Sequence, residues 1–474
     1  MGHLNSFFKN SSKLLSEARL HFQDSREPFA LTVAGQKWYV LTKPEDVTST
    51  YRIDSGSLSY DIFAVEVMGM VGITAEGIRK AFQTQHVSPD GTTIVRYKHL
   101  VRLCKEYQLE QLTPGPGLNR LVGPAMNLLK RRLNHDSVVD RGAAWYADDM
   151  PTVKGGVHVS LYQWISDVFI EMGTTAYFGN LLLQIDPSLT RTFMIFESIS
   201  WQAMYQYPRF LCGDMMRAKE KLQNAMAEYF ASPKHTRADA SWFILKIEEE
   251  MDRLNISSAD SAIFFFQLYW SINGNTRKAP FWILSYLLFD TDLLAAVRAE
   301  TAGAMDGTNP DVTCLVNVDA CPRLNSIWEE TIRLTAFAAS VRFLTCDLEI
   351  GGKTLRKGNR LMIPQRQLHF STRAFGQDAS MFNPDRFLEN PALRRHPSLR
   401  PFGGGATMCP GRNLAKQTTL AFVALAVHTF DMVLDPPNQK FPRPSEGKPS
   451  IGLIDIMEDS DLRVRLVPRP KLPS

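Results

Sequence analysis

The sequence predicts a mainly α (α+β) protein, and three observations carry the prediction. Residues 160–177, 258–289 and 414–430 repeat apolar side chains at helical spacing over long stretches. Residues 28–53 and 338–363 instead alternate over short runs broken by Gly-containing turns, which is strand patterning. Between them and the last long helix lies Pro401-Phe402-Gly403-Gly404-Gly405-Ala406-Thr407-Met408-Cys409-Pro410-Gly411-Arg412, a loop that holds one cysteine among glycines.

Composition narrows the classes. With 44% hydrophobic residues, the 474-residue chain can bury a large core. Its length alone favours two or three domains, but composition stays even and no linker divides it. A net charge of +4 is too weak for a nucleic-acid partner. The six cysteines show no paired spacing and read as reduced thiols of a cytosol-facing protein. The glycosylation sequons at Asn10 and Asn255 are then chance matches. No segment reaches the ~18 uninterrupted apolar residues of a membrane span.

Taken in order, residues 1–27 form a polar, mildly amphipathic segment carrying Phe7, Phe8, Leu14, Leu15, Leu20 and Phe22. A strand pair turns at Ala34-Gly35-Gln36, and Pro44 opens a short helix. Helices follow over 72–83, 97–112 and 118–133, then a polar connection over 146–157. Further helices cover 160–177, 187–205 and 213–232. The run Glu248-Glu249-Glu250 reads as a solvated helix face. The helical pattern over 258–289 is the longest, and Ser271, Asn273, Gly274, Asn275 and Thr276 interrupt its apolar course. Polar residues and a glycine inside a buried helix weaken its hydrogen-bond ladder and mark a candidate functional site. The plain alternative is a polar step before a kink at Pro280. A helix over 324–334 carries Glu330 and Arg333 on one face. Short strands fill 340–363, and residues 461–466 alternate as a final strand.

The cysteine loop ends at a helix start, where free N–H groups and the helix dipole favour an anion. A cysteine placed there is easily ionised. One thiolate without neighbouring Cys or His makes a poor zinc site, but suits an axial ligand to haem iron. A structural cysteine in a turn is the ordinary alternative.

The spacing Phe402-x-x-Gly405-x-x-x-Cys409-x-Gly411 resembles the haem-binding signature of cytochromes P450. Glu330-x-x-Arg333 followed by Phe382-Asn-Pro-Asp-Arg386 resembles the same family's ion network, in the same order along the chain. The resemblance runs from about residue 28 to the end. It implies a single haem-thiolate domain over 28–474, a large helical part with a small β-rich lobe around a buried haem. Eukaryotic members usually begin with an anchor helix; its absence from residues 1–27 leads us to expect a trimmed chain, the alternative being a naturally soluble protein.

The resemblance also assigns roles. Cys409 is the expected ligand to the iron of haem b, with Phe402, Gly405 and Gly411 shaping its loop. Glu330, Arg333 and Arg386 are structural. The family's usual Trp-x-x-x-Arg is missing near Lys98 and Arg102, which read as exposed helix charges, and its usual cation two residues before the cysteine is Thr407. Arg342 is therefore the expected partner of a haem propionate, a surface arginine being the alternative. His369 also matches a common family position and is assigned no chemistry. Relatives carry an acid–threonine pair in the distal helix; here Gly274-Asn275 stands there, with Thr276 next, so Asn275 and Thr276 are the candidate catalytic residues. This departure resembles the branch of sterol hydroxylases and prostacyclin synthase, and fungal P450s of secondary metabolism. Phe266, Trp270 and Ile451 are candidate pocket residues, core packing being the alternative for the aromatics.

The implied activity is oxygen insertion from dioxygen into, or oxidation of, a hydrophobic sterol, terpenoid, polyketide or alkaloid. Electrons come from NADPH through a separate NADPH-cytochrome P450 reductase, at the cytosolic face of the endoplasmic reticulum membrane. The alternative is an isomerase or dehydratase that rearranges a peroxide without a reductase. A haem carrier or sensor is a third reading, disfavoured because thiolate ligation suits O–O cleavage.

Overall fold

The computed structural model describes residues 2–87, 94–140, 156–205, 207–307, 309–447 and 451–470. In chain order the principal helices are α1 (Leu4–His21), α2 (Leu100–Leu112), α3 (Pro116–Arg132), α4 (Leu161–Phe178), α5 (Leu189–Ile199), α6 (Gly213–Ala231), α7 (Ser258–Asn273), α8 (Lys278–Leu288), α9 (Pro322–Thr335) and α10 (Arg412–Thr429). The named strands are β1 (Phe29–Val33), β2 (Gln36–Val40), β3 (Leu58–Ser59), β4 (Val157–Ser160), β5 (Ala339–Leu344), β6 (Arg360–Pro364), β7 (Phe430–Leu434) and β8 (Arg463–Pro468). Shorter helices and hairpins connect them.

The helical part forms because its apolar stripes find one another. In α10 every residue from Leu420 to Val427 is buried, and this run is the centre of the larger core, shared with α4, α8 and α9. A second core joins α5, α6 and α7. The small lobe is a five-stranded sheet in the order β1-β2-β6-β5-β3. Phe29 pairs with Val40 across the predicted hairpin, and β6 runs parallel to β2 but antiparallel to β5. A second sheet orders β7-β8-β4. The α1 helix covers the small lobe: Phe7 is fully buried, packing on Trp38 of β2 with ring centroids 5.7 Å apart. Among the described residues, no single helix is long and apolar enough to cross a membrane.

The structure adjusts several sequence expectations. The pattern over 258–289 is two helices, because the ladder lapses at Gly274–Arg277 before α8 begins. Residues 157–160 pair with β8 as a strand, at the end of the expected connection, whose residues 146–155 lie outside those described. Glu248 is not a solvated charge. It is buried and takes two 2.9 Å bonds from the equally buried Arg237, while Glu249 and Glu250 pair at the surface.

One ionic network ties α9 to the cysteine loop. Glu330 and Arg333, three apart on α9, are both fully buried and joined by bonds of 2.7 and 2.8 Å. Arg386 adds its Nε at 3.1 Å and also binds Asp378. Arg333 Nη1 donates to the carbonyls of His369 (2.8 Å) and Ala379 (2.6 Å). His369 passes the constraint on: its Nε2 accepts the amide of Arg400 at 2.9 Å, just before the glycine cluster.

This network yields two predictions. Removing one partner strands a buried charge, at a cost of ~3–5 kcal/mol. Arg333→Ala is therefore expected to give little haem-loaded protein and a melting temperature well below the parent; normal values for both would contradict the network's role. His369 is fully buried, and burial followed by the neighbouring Arg333 lowers its pKa from 6.5 to about 3. Below its ordinary pKa the unfolded chain takes up a proton that the folded chain refuses. His369 therefore contributes stability that is complete above pH 6.5 and lost as the pH falls toward 3, with a slope of about 1.4 kcal/mol per pH unit. Denaturant melts between neutral and acid pH should show this slope, reduced by one proton in His369→Gln.

Candidate active site

The cysteine loop folds tightly because glycine occupies the positions other residues resist. Gly403 and Gly405 adopt φ of +74° and +58°, and a Cβ on Gly404 would strike the ring of Tyr51. The Gly403 amide bonds to Arg400 O at 3.0 Å, and the Cys409 amide to Phe402 O at 3.0 Å, closing the loop on itself. Gly411 is the cap of α10 and lies against the cysteine sulfur.

The amides of Gly411 and Arg412 point at that sulfur, as a helix start requires. Even so, burial raises the thiol pKa, opposed by these amides and the Arg412 charge. For the free thiol, desolvation outweighs the dipole. The Cys409 side chain is exposed.

Arg342 approaches the same loop from β5. It is 8% exposed, donates to Val341 O at 2.7 Å and to the hydroxyl of Thr407, and lies over the Tyr60 ring. Among the described residues no carboxylate pairs with it, and burial lowers its pKa. A buried guanidinium with only neutral partners is costly unless an anion completes it. Lys98 and Arg102 instead share Glu106 at the surface. A soft sulfur donor two residues ahead of a helix cap, with an unmatched cation beside its loop, could hold a haem: Cys409 would take the iron, Arg342 an anionic edge, and Phe402, Gly405 and Gly411 would shape the loop.

The long helical pattern breaks at Gly274–Arg277. Asn275 is exposed amid buried neighbours, and its Oδ1 accepts the Leu453 amide at 2.8 Å; Gly452 has no room for a Cβ beside it. Thr276 is half-buried. Immediately beyond, Arg277 and Lys278 are both buried. Arg277 bonds to Glu197, Tyr162 and Ser166, and Lys278 to Glu197 at 2.8 Å; both lie within ion-pair distance of Asp455. Burial alone would raise the Asp455 pKa, but Lys278 and Arg277 hold it well below the usual carboxylate range. Sequence reasoning passed over this cluster. Its signal was two adjacent cations inside an otherwise apolar helix, which must be paired if buried.

The pocket candidates separate. Phe266 is fully buried against Phe196 of α5 (5.1 Å), so it belongs to the core and lines no open surface. Trp270, also on Phe196, keeps 9% exposure, while Ile451 is exposed. Pro449 and Ser450, from the same expected turn, lie outside the described residues.

Comparison with known proteins agrees with this geometry. Residues 119–455 match the family described as Cytochrome P450. The chain is 25% identical to the Cytochrome P450 monooxygenase calL of Penicillium decumbens, over 94% of this chain and 87% of that protein. It is 26% identical to the 7-alpha-hydroxycholest-4-en-3-one 12-alpha-hydroxylase of Oryctolagus cuniculus, over 99% and 91%. Prostacyclin synthase of Bos taurus is 27% identical over 50% of this chain and 51% of its own. With that family match spanning most of its length and the cysteine loop and buried ion network in place, the chain belongs to the cytochrome P450 family and is an oxidoreductase.

Proposed function

We propose that this enzyme inserts oxygen from dioxygen into a hydrophobic small molecule, with Cys409 as the thiolate ligand of haem b. The observation that carries the reading is the contact of the Cys409 loop with Arg342, which no carboxylate among the described residues pairs. The bound haem supplies dioxygen activation, using electrons that originate in NADPH and arrive through a reductase. The protein's part is to hold the sulfur, exclude water and deliver protons. Asn275 and Thr276 serve the last role: the Asn275 carbonyl is fixed by Leu453, leaving its NH2 to hold an ordered water that passes protons on.

Arg412, bonded to the carbonyl of Cys409, adds positive charge to the outer side of the loop, where an NADPH-cytochrome P450 reductase is proposed to dock. The turn at Arg209–Leu211 presents Phe210 at 86% and Leu211 at 55% exposure, beside the aromatic contact of Tyr205 with Phe8 of α1. This apolar turn is the proposed site of contact with the endoplasmic reticulum membrane surface.

A second reading has one observation in its favour. The helix break carries no acid, and a peroxide-rearranging isomerase or dehydratase would need neither protons there nor a reductase. Turnover under isotopically labelled dioxygen separates the two. The monooxygenase reading expects label in the product and dependence on reductase and NADPH. Conversion of a hydroperoxide without reductase, and without label, would contradict it.

A further inference from the structure

Two of the six cysteines meet just ahead of α9. Cys314 lies in the short helix Val312–Val316, and its amide donates to Asp311 Oδ1 at 3.1 Å. Cys321 is the cap residue of α9. The chain between them turns twice. The Asn317 amide bonds to Cys314 O at 3.1 Å, and the Cys321 amide to Asn317 O at 3.0 Å. Asn325, fully buried in the first turn of α9, clamps this segment shut. Its side-chain nitrogen lies 2.9 Å from Leu315 O, 3.2 Å from Asn317 O and 2.8 Å from Cys321 O. One nitrogen within bonding distance of both the Leu315 and Cys321 carbonyls holds those two stretches of backbone side by side. On that frame the side chains face each other, with the Cys314 thiol in hydrogen-bonding reach of Cys321.

The two thiols are unequal. Cys321 is fully buried, whereas Cys314 is half-buried. Burial, then the neighbouring Cys314 and the Glu300 carboxylate, push the Cys321 thiol up to about 12. Glu300 is held there by the amides of Arg323 and Leu324, at 2.7 and 2.8 Å. A thiol so placed keeps its proton and does not open an exchange by itself.

We propose that Cys314 and Cys321 form a redox modification site, with Cys314 the attacking thiol and Cys321 the resolving one, oxidised by a small disulfide of the glutathione type. The Cys314 thiolate attacks one sulfur of glutathione disulfide. One glutathione leaves with the electron pair of the broken S–S bond and takes up a proton. Cys321 then gives up its proton and attacks the Cys314 sulfur, expelling the second glutathione. The two protein thiols thereby lose two electrons and two protons, which leave on the two glutathione thiols. Cys321 needs no access to solvent, because Cys314 brings the reacting sulfur to it. The new bond ties the short helix to the cap of α9, the helix that carries Glu330 and Arg333. It also closes a loop in the unfolded chain, which stabilises the folded one. The site is independent of the oxygen-insertion reading.

The test treats the haem-loaded enzyme with glutathione disulfide and maps its cysteines by mass spectrometry. Cleavage on the N-terminal side of aspartate parts Cys314 from Cys321 at Asp319. The parent is expected to give these two peptides joined by a disulfide that dithiothreitol removes, and to melt above its reduced form. Cys321→Ser is expected to stop with glutathione attached to Cys314, and Cys314→Ser to leave Cys321 unmodified. Unlinked peptides in the parent, a link that leaves the melting temperature unchanged or lower, or glutathione on Cys321 in Cys314→Ser would each overturn the proposal.

Discussion

Glu330 is a carboxylate with no exposed surface, held between the guanidinium groups of Arg333 and Arg386. A charge so placed is tolerable only while both partners stay, since desolvation of each ion is repaid by close geometry and by further bonds to its remaining donors. Those further bonds reach outward. Arg333 spends its other donors on His369 and Ala379, and Arg386 on Phe375 and Asp378. His369 then fixes the amide of Arg400, from which the glycine cluster begins. The position of Cys409 is thus set by a chain of buried polar contacts that starts one helix away, while the loop itself supplies only the turn.

The distal side is built on a similar principle but with a different purpose. Breaking the helix at Gly274–Arg277 frees backbone groups and exposes Asn275, a defect a purely structural helix would avoid. Arg277 and Lys278 restart the helix in apolar surroundings, and Glu197 and Asp455 neutralise them. Because Glu197 lies on α5 and Asp455 in the C-terminal segment, the same pairs hold both of these against the break. The segment is also stitched by Leu453 to Asn275 and by Ile454 O to Trp282. Asn275 is therefore left exposed beside neighbours that are held in place.

Much of this was legible in the residues. The two motifs carried the ion network and the loop because their spacing is fixed by local geometry: three residues along a helix face, and glycines where φ is positive. The strand pair at β1 and β2 was legible for the same reason, period-two alternation around a Gly turn. What escaped depended on distant partners. Glu248 looked solvated until Arg237 arrived from outside its helix to bury it. Phe266 looked like a pocket wall because periodicity gives a face but not its neighbour, and Phe196 proved to be that neighbour.

The central claim is that Cys409, presented by this loop, is the protein ligand of the haem iron. The most direct measurement is the absorption spectrum of the ferrous–CO complex in the parent and in Cys409→Ser. The account predicts a long-wavelength Soret band in the parent and its loss in the variant, with the helical circular dichroism of the two unchanged. Survival of that band in Cys409→Ser would contradict it.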